Sequence, residues 1–292
     1  MTNSRQNSSQ PLVSVVMSFH SGKQLLLRAV HSIVWQTYTN WELILISDGS
    51  SAGIEWIAEN FQDARICCVS NSERRGLPSC LNQGVALAKG VYIARMDADD
   101  MAFPERFAKQ VAYLQTHPDV DLLATAALLI DGEDQAIGVL PVGLSHAEIT
   151  RRIWQGFAMP HPTWMGRADW FRANPYEALA LKGQDQGLLL RTFLHSRFAG
   201  ISDVLLGYRY DGLSLQKTVF ARYHFLRMLW RNAGKLQWLR GLVRNVLAAA
   251  RDALAILLKQ DGVVIHKRVR PMDAVLIAQW QTIQLRMSQL LR

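Results

Sequence analysis

Three carboxylates crowd into four positions in the stretch YIARMDADDMAFPER, where Asp97, Asp99 and Asp100 follow directly on an apolar run. Carboxylates held that close repel one another, so the arrangement calls for a counter-charge. A hard divalent cation takes oxygen ligands, commonly one or two carboxylates together with substrate phosphates. An Asp-x-Asp turn behind a strand can therefore hold Mg²⁺ or Mn²⁺ against a diphosphate. Taken alone, the same pattern also describes a solvated acidic turn, with one Asp capping the helix that Pro104 opens. The surrounding sequence has to decide.

The elements that would position these residues alternate through the first hundred positions. LVSVVMSF (12–19), WELILIS (41–47), RICCVS (65–70) and VYIARM (91–96) read as strands. Helical spacing fills the intervals at 23–35, around Ile54, Ile57 and Ala58, and at 77–88. That rhythm predicts a parallel sheet with right-handed crossovers, and near-continuous apolar strands predict cover on both faces. Ligands of such sheets bind outside the carboxyl ends of the strands. Collected there are His20 and Ser21, then Asp48, then Asn71, Arg74 and Arg75, and finally Asp97 to Asp100. Acids and bases converging on one edge predict a site for a phosphorylated ligand with a metal ion. Further on, Phe107, Val111 and Leu114 mark a helix ended by His117-Pro118, and residues 121–130 and 135–140 a hairpin. A helix near 145–155, an extended HPTWMG (161–166), a helix over about 185–195 and a strand at 202–210 complete the expectation.

The segments VSVVMSF, QTYTNWELILISDGS, RRGLPSCLNQGVALAKGVYIARMDADDMAFPERFAKQ, HPTWM, GQDQGLLLR and VLLGYRY resemble the family 2 glycosyltransferases of GT-A fold, over roughly residues 12–212. The run from Arg75 to Gln110 is the specific part, because order, spacing and flanking residues agree across more than thirty positions. The resemblance implies an α/β GT-A domain and inverting transfer of a sugar from a nucleotide-sugar, expected to be a UDP-sugar, to an acceptor hydroxyl. It implies that Ser18, Asp48, Arg75 and Asp97 bind the nucleotide-sugar, that Asp99 with Asp97 holds the divalent metal, and that Asp185 is the catalytic base. Asp185 has a second reading as a helix N-cap, and His161 divides evenly between substrate contact and a loop-stabilising role. The chain departs from the family pattern at Ser47, at His20-Ser21 and at Gln184, where the family often carries an acid, Tyr-Asn and an acid.

Composition frames these readings. The three cysteines (Cys67, Cys68 and Cys80) match neither a disulfide framework nor a Cys-x-x-Cys site, and read as small core residues of a reducing cytosol. The polar N-terminus, residues 1–11, reads as a disordered tail without a signal peptide, and no uncharged stretch is long enough to span a membrane. The formal charge of +8 is unevenly placed, with 14 Lys/Arg against 3 Asp/Glu over residues 216–292 and 18 against 21 before them. The split predicts a catalytic domain over 12–215 and a basic helical region over 216–292. Leu239, Val243, Val246, Leu247, Leu254 and Leu257 give that region an apolar face. It would either pack on the acidic domain or lie on anionic lipid at the inner face of the cytoplasmic membrane, near a glycan or lipid-linked acceptor. No nucleic-acid motif is present. The expected setting is bacterial surface polysaccharide or lipopolysaccharide synthesis. The alternatives are a nucleotide-sugar-binding protein with impaired catalysis and a sugar nucleotidyltransferase. A dinucleotide oxidoreductase is disfavoured, since no G-x-G-x-x-G follows the first strand.

Overall fold

The computed structural model describes residues 10–49, 54–180, 182–210, 212, 214–257 and 269–290. Nearly all of the tail expected over residues 1–11, together with residues 258–268, lies outside them. The chain alternates as expected through β1 (Val13–Phe19), α1 (Lys23–Val34), β2 (Trp41–Asp48), α2 (Glu55–Phe61), β3 (Ile66–Asn71), α3 (Leu77–Leu87) and β4 (Tyr92–Asp97). There follow β5 (Met101–Ala102), α4 (Arg106–Thr116), β6 (Leu122–Ile130), β7 (Ala136–Leu140) and α5 (His146–Thr150). Next come β8 (Met165–Arg167), α6 (Ala168–Ala173), α7 (Gln184–Thr192) and β9 (Phe198–Arg209). The C-terminal helices are α8 (Leu215–Asn232), α9 (Gly234–Leu257) and α10 (Ala274–Leu290).

One sheet runs through the molecule in the order β3-β2-β1-β4-β8-β6-β9-β5, with β7 paired to β6. The four strands from β3 to β4 are parallel. Beyond them β8 is antiparallel to both β4 and β6, and β9 returns parallel to β6. Alternate residues of a strand face opposite sides. Val13, Val15 and Met17 therefore join Leu26, Ile33, Phe107 and Leu114 in one core, while Val16 meets Leu81, Trp164 and Leu188 in the other.

Several elements differ from expectation for local reasons. The helix expected near 145–155 is a five-residue α5 followed by a 3-10 turn over 153–155, broken at Gly156 with φ 89°. HPTWMG is a 3-10 turn over 161–163 leading into three-residue β8, rather than one extended run. β9 starts at Phe198, four residues early, because the exposed Ser202 and Asp203 mark a register shift rather than a strand end. Cys80 is buried as expected, but Cys67 is exposed on β3.

The basic region starts where the charge changes, with α8 at Leu215, and it packs on the sheet domain. Met228 and Leu229 of α8 enter the second core. α10 supplies Leu276, Trp280, Ile283 and Met287 to a third core, with Met101, Phe103, Leu128 and Ile130. Trp280 stacks on Phe103 with centroids 5.9 Å apart, and a Cβ at Gly207 would sit 2.6 Å from its ring. Gly207→Ala is accordingly expected to push α10 off β9 and cost about 1–3 kcal/mol, the usual size of an overpacking penalty. Urea unfolding of the variant reads this directly, and an unchanged midpoint would contradict the packing.

Candidate active site

The parallel register brings the strand ends together. Ser18 of β1 lies beside Asp97 of β4, and Asp48 of β2 beside Asn71 of β3. Ser18 is half-buried and Arg75 exposed, so both remain accessible at this edge. Asp48 is almost fully buried and holds the loop ahead of α3. Its Oδ1 accepts the Arg75 amide at 2.6 Å, and its Oδ2 accepts the Gly76 amide at 3.0 Å. Gly49, at φ 64°, allows that approach, since a Cβ there would lie 2.7 Å from the Arg74 nitrogen. His20 Nδ1 lies 2.9 Å from the Asp48 carbonyl and ties the end of β1 to the same loop. Asp48 thus has a structural task beside the one the resemblance implies.

The carboxylate cluster has counter-charges of its own. Asp97, Asp99 and Asp100 offer ligand oxygens all within 4.8 Å of one another. Arg95, two residues back and so on the same face of β4, grips Asp97 with both guanidinium nitrogens, Nη1 to Oδ2 at 2.8 Å. Arg209, at the end of β9, donates its backbone amide to Asp100 Oδ1 at 2.9 Å and its Nε to the Asp99 carbonyl at 3.1 Å. Its Nη2 pairs with Asp134, which Arg28 of α1 also holds. The Asp134 carbonyl accepts Trp280 Nε1 and Gln284 Nε2, each at 2.9 Å. Arg106, fully buried, donates Nη2 to the Arg95 carbonyl at 2.7 Å. Burial first, then the charges of Asp97 and Asp99, push the Asp100 carboxyl well above its ordinary value.

Asp100 Oδ2 is buried with no hydrogen-bond partner. An unsatisfied, buried carboxylate oxygen costs on the order of 1–3 kcal/mol or more, and here it lies in a group of hard oxygen donors. That set fits a divalent cation.

Asp185 stands in the first turn of α7, whose N-cap position is Gly183, so the cap reading of Asp185 does not hold. Its Oδ2 accepts Gln186 Nε2 at 3.1 Å, and a carboxylate in a first turn is favoured by the helix dipole. Asp185, His161 and Tyr208 line a cleft of about 1610 Å³ whose far wall is α8 and α9. The cleft and the carboxylate cluster adjoin at the end of β9, where Tyr208 lines the cleft and Arg209 holds Asp99 and Asp100. Burial raises the Tyr208 hydroxyl far above its usual range, and Asp97, Asp100 and Asp185 all add to the rise. Tyr176 is raised likewise by burial, then by Asp185 and Asp97, against the opposing pull of Arg95. His161 is buried, with Nε2 bonded to the Tyr176 hydroxyl at 2.8 Å and its ring edge-on to Trp164 at 4.6 Å. Those contacts tie the loop to Tyr176 and Trp164, and His161 also lines the cleft.

Arg95, Arg209, Tyr176 and Tyr208 were not among the residues read from the sequence. Arg95 carried a signal, because period-two alternation puts residues 95 and 97 on one face. Arg209 did not, being 109 residues from the Asp100 it supports.

A profile of glycosyl transferase family 2 matches residues 14–172, more than half of the chain. The chain belongs to that family. The O-antigen biosynthesis glycosyltransferase WbnJ of Escherichia coli is 30% identical over 220 residues, covering 73% of this chain and 85% of that one. An uncharacterized glycosyltransferase of Methanocaldococcus jannaschii is 28% identical over 234 residues, 76% and 81% of the two chains. The putative glycosyltransferase EpsE of Bacillus subtilis is 39% identical over 127 residues, which is 42% of this chain and 46% of EpsE, so this match spans under half of that relative. Among solved structures, S. aureus TarS 1-349 in complex with UDP-GlcNAc superposes with a TM-score of 0.62 at 14% identity, covering 96% of this chain and 81% of that 1-349 chain. That likeness shows the GT-A fold.

Burial and then Arg95 hold His161 well below its ordinary value of 6.5, so it folds neutral. An unfolded histidine takes up a proton near 6.5 while the folded one resists it, so the stability this supplies is complete above about pH 6.5 and is lost as pH falls. Asp100 acts with the opposite sign, because its raised value favours the folded state in acid. The informative quantity is therefore the difference between the wild type and His161→Gln. From about pH 6.5 downward the wild type should lose up to about 1.4 kcal/mol per pH unit more than the variant. Parallel stability profiles for the two would show that His161 is not held neutral.

Proposed function

We propose that the chain is an inverting glycosyltransferase that moves a sugar from a nucleotide-sugar, a UDP-sugar in the first instance, to the hydroxyl of a glycan or lipid-linked acceptor. Residues 12–215 form the catalytic domain and residues 216–292 an appended basic region. The observation that carries the reading is the end of β9, where Tyr208 lines the cleft that contains Asp185 and the next residue, Arg209, holds Asp99 and Asp100. The carboxylate cluster and a candidate base thus adjoin the same strand end, as transfer from a diphosphate to a hydroxyl requires.

Ser18, Asp48 and Arg75 are the residues assigned to the nucleotide. Asp99 and Asp97, with Asp100 beside them, would hold a Mg²⁺ or Mn²⁺ ion, which supplies positive charge for the departing diphosphate. Asp185 takes the proton of the acceptor hydroxyl as that oxygen attacks the anomeric carbon. The bond from that carbon to the diphosphate oxygen breaks with its electron pair, the nucleoside diphosphate leaves, and attack from the opposite side inverts the centre. Arg95 orients Asp97 through both of its guanidinium nitrogens, and Arg209 fixes the turn that carries Asp99 and Asp100. His161, which lines the cleft with Asp185, is bonded to Tyr176 behind it. The relative named for O-antigen biosynthesis supports a role in building surface polysaccharide.

Asp185→Asn should retain donor affinity and lose about 10²–10⁴-fold in transfer rate, the usual contribution of a positioned base. Collapse of donor binding with an intact rate at saturating donor would make the residue structural. Asp99→Asn should abolish Mn²⁺ binding measured by calorimetry on the folded protein, whatever the activity. Mn²⁺ affinity equal to that of the wild type would remove Asp99 from the metal site.

A further inference from the structure

α9 is built inside out. Its inward side carries Gly241, Asn245 and Asp252, and the last two are only 7% and 0% exposed. Asp252 pairs with Arg222 of α8 and with Arg251, and Asn245 Nδ2 donates to the Gly241 carbonyl at 2.8 Å. At 3.6 residues per turn, Leu236, Leu239, Val243, Val246 and Leu247 fall on the opposite side. They are exposed by 52–66%. A helix of a globular protein ordinarily turns its apolar stripe inward. Here the Arg222–Asp252 pair ties α9 to α8, with Leu226 and Leu229 against Gly241, and the stripe faces outward along about three turns.

The charge around the stripe identifies what covers it. Residues 215–257 carry eight Lys/Arg and one acid, the buried Asp252. Arg240 borders the stripe, its guanidinium 5.2 Å from the Trp154 ring, and Arg251 lies along the same border. A second copy docking through this face would meet its own patch across a two-fold axis and set these cations against one another. An anionic lipid surface meets both requirements, taking the apolar side chains at the acyl boundary and the cations at its phosphates. α8 adds exposed Tyr223 and Trp230, ring types suited to the headgroup level. Among the described residues no helix is long and apolar enough to cross a membrane, so this one would lie on the surface.

We propose that the outward face of α9 seats the protein on an anionic bilayer, with Leu236, Leu239, Val243, Val246 and Leu247 in the acyl boundary. What the seat accomplishes rests on the glycosyl-transfer reading. Leu239, Val243 and Leu247 also line the cleft that contains Asp185, so an acceptor embedded in the leaflet would reach the base along the edge of α9.

The test uses the full chain and co-sedimentation with two kinds of vesicle: phosphatidylcholine alone, and phosphatidylcholine with a quarter phosphatidylglycerol. Leu236 and Val246 lie outside the cleft lining, so the double variant Leu236→Ser/Val246→Ser leaves the candidate active site untouched. The wild type should bind the anionic vesicles, weaken in high salt, and bind neutral vesicles poorly. The double variant should lose about tenfold or more in vesicle affinity while its UDP affinity by calorimetry is unchanged. Equal vesicle binding by the variant, or none by the wild type, overturns the proposal. A concentration-dependent dimer that the variant abolishes, without vesicle binding, overturns it in favour of a second copy. Absence of UDP binding in the wild type would instead overturn the donor reading and leave the vesicle result standing.

Discussion

Like charge held at close range is the constraint on which the rest of this structure turns. Three carboxylates at the end of β4, one of them fully buried, have to be offset by cations delivered from elsewhere in the chain. Arg95 reaches up the same strand, Arg106 comes from the start of α4, and Arg209 arrives at the end of β9. Breaking a buried pair by removing one partner typically costs about 3–5 kcal/mol, because it strands the remaining charge. The placement of β9 beside β6, and of two-residue β5 against β9, is thus tied to the electrostatics of the turn as well as to the apolar core.

The two sides of the site are built differently. On the β1–β2–β3 side, backbone and side chain lock together, with Asp48 holding the loop ahead of α3 and leaving Arg75 exposed at the rim. On the other side the walls come from helices. α7 presents Asp185, and α8 and α9 close a broad cleft rich in arginine and aliphatic side chains. One half of the site is thus polar and tightly hydrogen-bonded, and the other wide, basic and apolar.

Much of the donor half was legible in the sequence, because it rests on short-range pattern. Apolar strands with polar residues after them place Ser18, Asp48 and Asp97 on one edge by topology alone, and the register joins them. Asp185 was legible as a helix-start residue, but its place in the first turn rather than at the cap depended on Gly183 taking φ 70°. The partners of the carboxylates were hidden, since Arg209 and Asp134 act across more than seventy residues of chain. The face of α9 shows a different limit. Periodicity put Leu239, Val243, Val246 and Leu247 on one face (the side chains of Leu254 and Leu257 lie outside the described residues), but periodicity carries no sign, and the structure turns those four outward while burying Asn245 and Asp252. α10, with weak amphipathic contrast, gave no pattern to read, although Trp280 is central to the third core.

The reach of those contacts also sets an order of assembly. The turn that carries Asp99 and Asp100 leaves the ribosome about a hundred residues before Arg209, and the hairpin at Asp134 waits 146 residues for Trp280. Contacts that distant in sequence form late and slowly, since loop closure must precede any gain from them. A nascent chain therefore carries its acidic turn without Arg209 for a further 109 residues, and its Asp134 hairpin without Trp280 until α10 is made. Chains stopped before α10 would hold Arg95, Arg106 and Arg209 but lack the two bonds from Trp280 and Gln284 that steady Asp134 behind Arg209.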